Sequence, residues 1–147
     1  MSGGGAASPL PLISSYAVSK AAVVRFVENL SEELKDYKID INAVAPGPLN
    51  TSMLEEVLKA GPKKVGKNFY NKSLKQKKTG GTPFIKVCEL ILFLGSKYSN
   101  GIKGKLISAL WDDWKNWINY KELLQSSDAY TLRRIAGKER GFEWGDK

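Results

Sequence analysis

Residues 14–47 read SSYAVSKAAVVRFVENLSEELKDYKIDINAVAPG, and this stretch decides the fold. Its first part has helical periodicity: Val23, Val27, Leu30 and Leu34 recur three or four apart and form one apolar stripe. Ser14 or Ser15 suits the N-cap, and the pattern predicts a helix to about Tyr37. Then the period changes. Ile41 to Ala45 is a short apolar run closed by Pro46–Gly47, which predicts a buried strand ending in a sharp turn.

Working outward, residues 2–12 (SGGGAASPLPL) read as loop, because glycine, proline and small residues dominate. Residues 48–82 read as a long excursion. TSMLEEVLKAG predicts a short helix ended by Gly61, the basic segment after it predicts another, and KTGGTP (78–83) predicts a flexible loop. Pro83 suits the first turn of a helix reaching about Leu94. GIKGKLISAL (101–110) reads as a turn and a short strand. In the tail, Trp111, Trp114 and Trp117 stand three apart with Leu123 and Leu124 beyond, which predicts one or two helices covering apolar surface. The order helix–strand–excursion–helix–strand is that of an α/β parallel sheet. The expected organisation is a partial domain over 1–110 and a packing extension over 111–147. Two parallel strands make a poor core alone, since such sheets need both faces covered.

The composition is that of a soluble globular chain: 147 residues, 42% hydrophobic and 26% charged. No apolar run approaches the roughly 18 residues that cross a bilayer, and the first residues lack the order of a signal peptide. Cys88, in the apolar run VCELILFL, reads as a core thiol. A lone cysteine excludes a disulfide framework and a cysteine zinc site, and points to a reducing, cytoplasmic setting. The chain has no histidine. That removes Ser-His-Asp and Cys-His catalysis and His-ligated zinc, so no metal centre is expected. Proton chemistry here must use Tyr, Lys, Ser, Asp or Glu. The net charge is +8, and seven lysines without an acid lie in PKKVGKNFYNKSLKQKK (62–78), so the remainder is nearly neutral.

Tyr16 and Lys20 stand four apart and share one side of the predicted helix near its start. A phenol is a weak acid, and a lysine cation one turn away favours the phenolate. Such a tyrosine can give a proton to a ketone being reduced or take one from an alcohol being oxidised. By itself the pair is far more often a packed tyrosine beside a solvated lysine.

The combination of Ser2 in SGGG, Tyr16 and Lys20 in YAVSK, and Pro46–Gly47 with Thr51 in NAVAPGPLNT closely resembles the short-chain dehydrogenase/reductase family. The resemblance covers residues 2–110 and implies the C-terminal half of a doubly wound Rossmann-like fold. It implies that Tyr16 is the general acid/base and that Lys20 supports it and binds the nicotinamide ribose. Ser2 would hold the substrate oxygen, while Pro46, Gly47 and Thr51 line the nicotinamide end of the cofactor pocket. NAD or NADP is the implied cofactor, and a small alcohol or carbonyl compound the implied substrate. Two departures stand out. Ser2 lies fourteen residues before Tyr16, where thirteen is commoner in the family; and ALWDDW replaces the family's glycine-rich end. The phosphate-cradling Gly-x-x-x-Gly-x-Gly turn is absent, and Gly3–Gly4–Gly5 is no substitute, because no strand precedes it. The expectation is therefore a truncated, catalytic half whose strand at 40–45 leaves an apolar edge open. Such a chain would be marginal, self-associating as a homo-oligomer, or dependent on a complementing N-terminal half, and inactive alone.

Two rival readings remain. The 62–78 lysines, with Phe69 and Tyr70 as a stacking pair, would suit nucleic acid or another anionic surface, although a charge run is more often a wet face. Alternatively the chain is a non-catalytic interaction remnant, with Phe26, off the apolar stripe, as a contact. Ser14 and Ser15 are alternative substrate-oxygen ligands, and Arg133–Arg134 a possible phosphate contact. No membrane partner is expected.

Overall fold

A computed structural model describes residues 1–144. The elements are α1 (Ser14–Glu33), β1 (Ala43–Ala45), α2 (Ser52–Ala60), α3 (Pro62–Val65), α4 (Lys67–Thr79), α5 (Phe84–Leu94), β2 (Leu106–Ser108) and α6 (Lys121–Ser126). Short 3-10 turns cover Gly4–Ala6, Lys97–Ser99, Trp114–Tyr120 and Lys138–Arg140.

The sheet is two parallel strands, with Ala43 opposite Leu106, Val44 opposite Ile107 and Ala45 opposite Ser108. Backbone bonds extend this pairing at both ends, from Gly104 N–H to the Ile41 carbonyl and from Ala109 N–H to the Ala45 carbonyl. This is a partial α/β Rossmann-like fold, as the order of elements predicts.

Its main core lies on one side of the sheet. Val44 and Ile107 meet Val87 and Leu90 of α5, Ile102, Ala109, and the tail residues Trp114, Trp117 and Leu124. Residues three apart eclipse on a 3-10 helix, so the spacing of Trp114 and Trp117 puts both indoles inward, against Phe93 and Tyr130 respectively. Trp111 precedes that turn and is exposed, as is Leu123. The tail thus supplies the aromatic bulk that two short strands lack. It is pinned by the buried Lys105, whose Nζ donates to the Ser127 and Ala129 carbonyls. Glu28 of α1 also holds it, accepting from Leu132 N–H. Arg133 is engaged with Asp128 and Glu139.

Three expectations need correction. First, α1 is capped by the Ile13 position, so Ser14 and Ser15 are already helical and exposed, with no side-chain cap bond. Leu12 is left-handed (φ 69°) and Ile13 N–H closes a turn on Leu10, which brings the chain into the helix one residue early. Second, the helix ends at Glu33 rather than Tyr37. Lys35 bonds back to Glu32 and Tyr37 to Leu34, three residues each, and this tightens the end into turns. The deepest line on α1 runs through Val24 and Ser31, with Val23, Val27, Leu30 and Leu34 as half-buried shoulders. Third, Cys88 is exposed: Val87 and Leu90 take the inner face of α5, and Cys88 falls on the outer one. As expected, the other edge of β1 has no strand beside it among the described residues, although it is partly covered. Ala43 and Val44 are buried, and Ser2 N–H donates to the Val44 carbonyl at 2.7 Å.

Candidate active site

The glycine run at the start of the chain is explained by contact with α1. A side chain at Gly5 would put its Cβ 2.9 Å from the Cα of Ala17, so the 3-10 turn can lie on the helix only with glycine there. That contact places Ser2 and Gly3 beside the first two turns of α1.

Tyr16 and Lys20 are both half-buried, and the Lys20 ammonium sits 5.3 Å from the centroid of the Tyr16 ring. A cation over the ring face is attracted by its quadrupole. Ser2 is 4% exposed, and its hydroxyl donates to the Lys20 carbonyl at 3.1 Å. With its N–H on Val44, this one residue joins α1 to β1 three positions before Gly47. Gly3 lies beside the tyrosine hydroxyl: a Cβ there would be 3.0 Å from the Tyr16 Oη. Of the substrate-oxygen alternatives, Ser14 and Ser15 point to solvent on the first turn.

At the carboxyl end of β1, where ligands of parallel sheets sit, Pro46 and Gly47 are half-buried and Gly47 is left-handed (φ 80°). The last turn of α4 and the segment after it strap over this turn. Thr82 N–H donates to the Pro48 carbonyl at 2.7 Å, and Gln76 Nε2 donates to the Leu49 carbonyl at 2.9 Å. Thr82 is 4% exposed, and its Oγ1 is buried without a hydrogen-bond partner. A Cβ at Gly47 would come within 2.6 Å of that oxygen. Thr51 is exposed at the N-cap position of α2, and its side chain caps nothing.

The structure therefore brings together Tyr16, Lys20, Ser2 and Gly3, and separately Gly47 and Thr82; it shows no contact of the exposed Thr51 with either group among the described residues. Gly3 and Thr82 escaped the sequence reading. The signal for Gly3 was its place thirteen residues before Tyr16; Thr82 had none beyond lying in GGTP.

The charged groups with shifted titration lie outside this site. Burial pushes Lys105 down and Asp112 up, the latter opposed by Ser108 N–H. Arg133 holds Glu139 down at about 2, and Lys115 lowers Glu89. The seven lysines of 62–78 are exposed, and Lys77 pairs with Glu55. Phe69 and Tyr70 are half-buried beside them.

A sequence profile described as short chain dehydrogenase matches residues 1–61, which hold the serine, the tyrosine–lysine pair and the Pro–Gly turn. The chain belongs to the short-chain dehydrogenase/reductase family. It is 31% identical over 107 residues to an uncharacterized oxidoreductase, YjdA, of Bacillus subtilis, covering 73% of this chain and 39% of that protein. It is 32% identical over 105 residues to an L-2,3-butanediol dehydrogenase of Corynebacterium glutamicum, covering 66% and 39%. A shorter match, 55% identical over 51 residues, is to an 11-beta-hydroxysteroid dehydrogenase-like protein of Arabidopsis thaliana, covering 34% and 16%. The chain thus spans about two fifths of the length of the first two of these relatives. No helix among the described residues is long and apolar enough to cross a membrane.

Proposed function

We propose that this chain carries the proton-transfer centre and the nicotinamide end of an NAD(P)-dependent oxidoreductase acting on alcohols or carbonyl compounds. The observation that carries the reading is Lys20 Nζ standing over the ring of Tyr16, on a turn that Ser2 ties to β1. Tyr16 Oη gives a proton to a carbonyl oxygen, or takes one from a hydroxyl. The Lys20 cation stands over the ring of that tyrosine.

The residues present suit a nicotinamide group. The unpartnered, buried Thr82 hydroxyl beside Gly47 is a polar group awaiting a ligand, and a planar carboxamide carries both a donor and an acceptor. The backbone at Pro46–Gly47 and the Thr82 hydroxyl would hold that carboxamide, Lys20 and Tyr16 the ribose, and Thr51 the rim. The nicotinamide supplies or accepts the hydride when bound. Pyrophosphate and adenine need a glycine-rich turn that this sequence does not contain. That turn is supplied by a further polypeptide segment or a complementing partner, so the chain alone binds the whole nucleotide weakly and turns over slowly. Assembly is favoured by the outer face of α5, where Phe84, Ile85, Ile91 and Leu92 are all exposed.

The test is fluorescence titration with reduced nicotinamide mononucleotide, which lacks the adenine half. The parent chain binds it; Lys20→Met weakens binding several-fold; Tyr16→Phe retains binding but loses carbonyl reduction by about 10²–10⁴-fold. Equal binding by parent and Lys20→Met would sink the reading.

A further inference from the structure

We propose that Gly3, not Ser2, borders the reacting oxygen at Tyr16: its missing side chain is the opening through which the substrate's oxygen-bearing carbon reaches the hydroxyl. This deepens the oxidoreductase reading and rests on Tyr16 being its proton-transfer residue.

The argument begins with what glycine is for at this position. Gly3 has φ −179° and ψ 179°, an extended backbone that any residue adopts, so no left-handed turn requires glycine there. Nor is it a packing contact between backbones, as at Gly5, where the nearest obstacle is the Ala17 Cα. Among the described residues, and apart from its chain neighbours Ser2 and Gly4, the sole atom within 4 Å of a Cβ at Gly3 is the Tyr16 Oη, at 3.0 Å. A side chain would cost nothing except the space in front of that hydroxyl. Tyr16 is half-buried, so part of its side chain reaches solvent.

Ser2 is engaged elsewhere. It is 4% exposed, its hydroxyl proton is on the Lys20 carbonyl and its N–H is on the Val44 carbonyl. Both donors are used in joining α1 to β1, so Ser2 is a structural tie. The substrate oxygen consequently meets one side-chain donor here, the tyrosine hydroxyl, and the width of the opening at Gly3 limits the group attached to the reacting carbon.

The test needs no cofactor. N-Acetylimidazole acylates tyrosine hydroxyls that it can reach, and peptide mass mapping reads all six tyrosines of the full chain at once. Gly3→Ala slows acetylation of Tyr16 at least threefold relative to Tyr37 and Tyr98, and Gly3→Val slows it further, with the other five rates unchanged. Ser2→Ala leaves the Tyr16 rate within twofold of the parent but lowers the Tm by about 2–4 °C, as loss of one buried hydrogen bond does in a chain of this size. Unchanged Tyr16 acetylation in both Gly3 variants overturns the proposal. So does a faster Tyr16 rate in a Ser2→Ala chain of parental Tm, which would place the serine at the hydroxyl. Failure of the parent chain to bind reduced nicotinamide mononucleotide would instead refute the oxidoreductase reading and leave the acetylation comparison standing.

Discussion

Replacing Thr82 by valine removes one hydroxyl and keeps the side-chain shape. The parent hydroxyl is buried under the strap that crosses the Pro46–Gly47 turn, and its oxygen has no partner among the described residues. A buried polar group left unsatisfied costs about 1–3 kcal/mol, and its replacement by an apolar group of the same shape recovers most of that. The valine methyl is slightly larger than the hydroxyl and sits against the Gly47 backbone, so part of the gain is lost to crowding. The net expectation is a stabilisation of about 0.5–2 kcal/mol, or roughly 1–8 °C in Tm at ~2–4 °C per kcal/mol. Thr82→Ser keeps the hydroxyl, deletes the buried methyl and lowers the Tm. Thermal unfolding followed by circular dichroism reads both. If the hydroxyl also meets the nicotinamide carboxamide, Thr82→Val binds reduced nicotinamide mononucleotide about five- to tenfold more weakly, since a good hydrogen bond contributes ~1–1.5 kcal/mol. More stability with less binding is the signature of a residue kept for its ligand. A Thr82→Val chain that is less stable than the parent would refute the reasoning, because the hydroxyl would then have had a partner.

Gly47→Ala should be destabilising by about 2–4 kcal/mol in the same melts, since it combines a left-handed φ with a Cβ 2.6 Å from Thr82 Oγ1; an unchanged Tm would contradict the strap geometry. Asp112 titrates above its ordinary value because of burial. The folded state therefore holds that proton more tightly than the unfolded one, and this contribution is full below about pH 3.8 and is lost as pH rises through the folded value. Asp112→Asn keeps an acceptor for Ser108 N–H, so its Tm relative to the parent rises between pH 3.5 and 6.5. Ile85→Lys with Leu92→Glu puts two charges on the exposed apolar face of α5, and light scattering should show less self-association than in the parent chain.

The sequence was most legible where period and chemistry coincided. The change from helical spacing over 14–34 to the apolar run at 41–45 located α1 and β1, because a buried strand and a half-buried helix leave different patterns. The tyrosine–lysine pair was legible because four residues make one helical turn. Other features were decided by tertiary contact, which a pattern does not carry. The exposed Cys88 lies in a run apolar on both faces, so hydropathy could not tell inner from outer. The stripe on α1 was read one residue off because Ser31, a polar residue, is buried where the Gly104 turn presses on it. Ser2 drew attention as a hydroxyl, yet burial and the Lys20 carbonyl determine what that hydroxyl does. Thr82 was invisible, since nothing in GGTP tells that its oxygen ends without a partner over Gly47.

The most direct test of the central claim is a nuclear magnetic resonance titration of the ¹⁵N-labelled chain with reduced nicotinamide mononucleotide. The account predicts saturable shifts clustered at the amides of Ala45, Gly47 and Thr82 and of Tyr16 and Lys20, with the 62–78 lysines unmoved. Shifts confined to residues 62–78, or none at millimolar ligand, would contradict it.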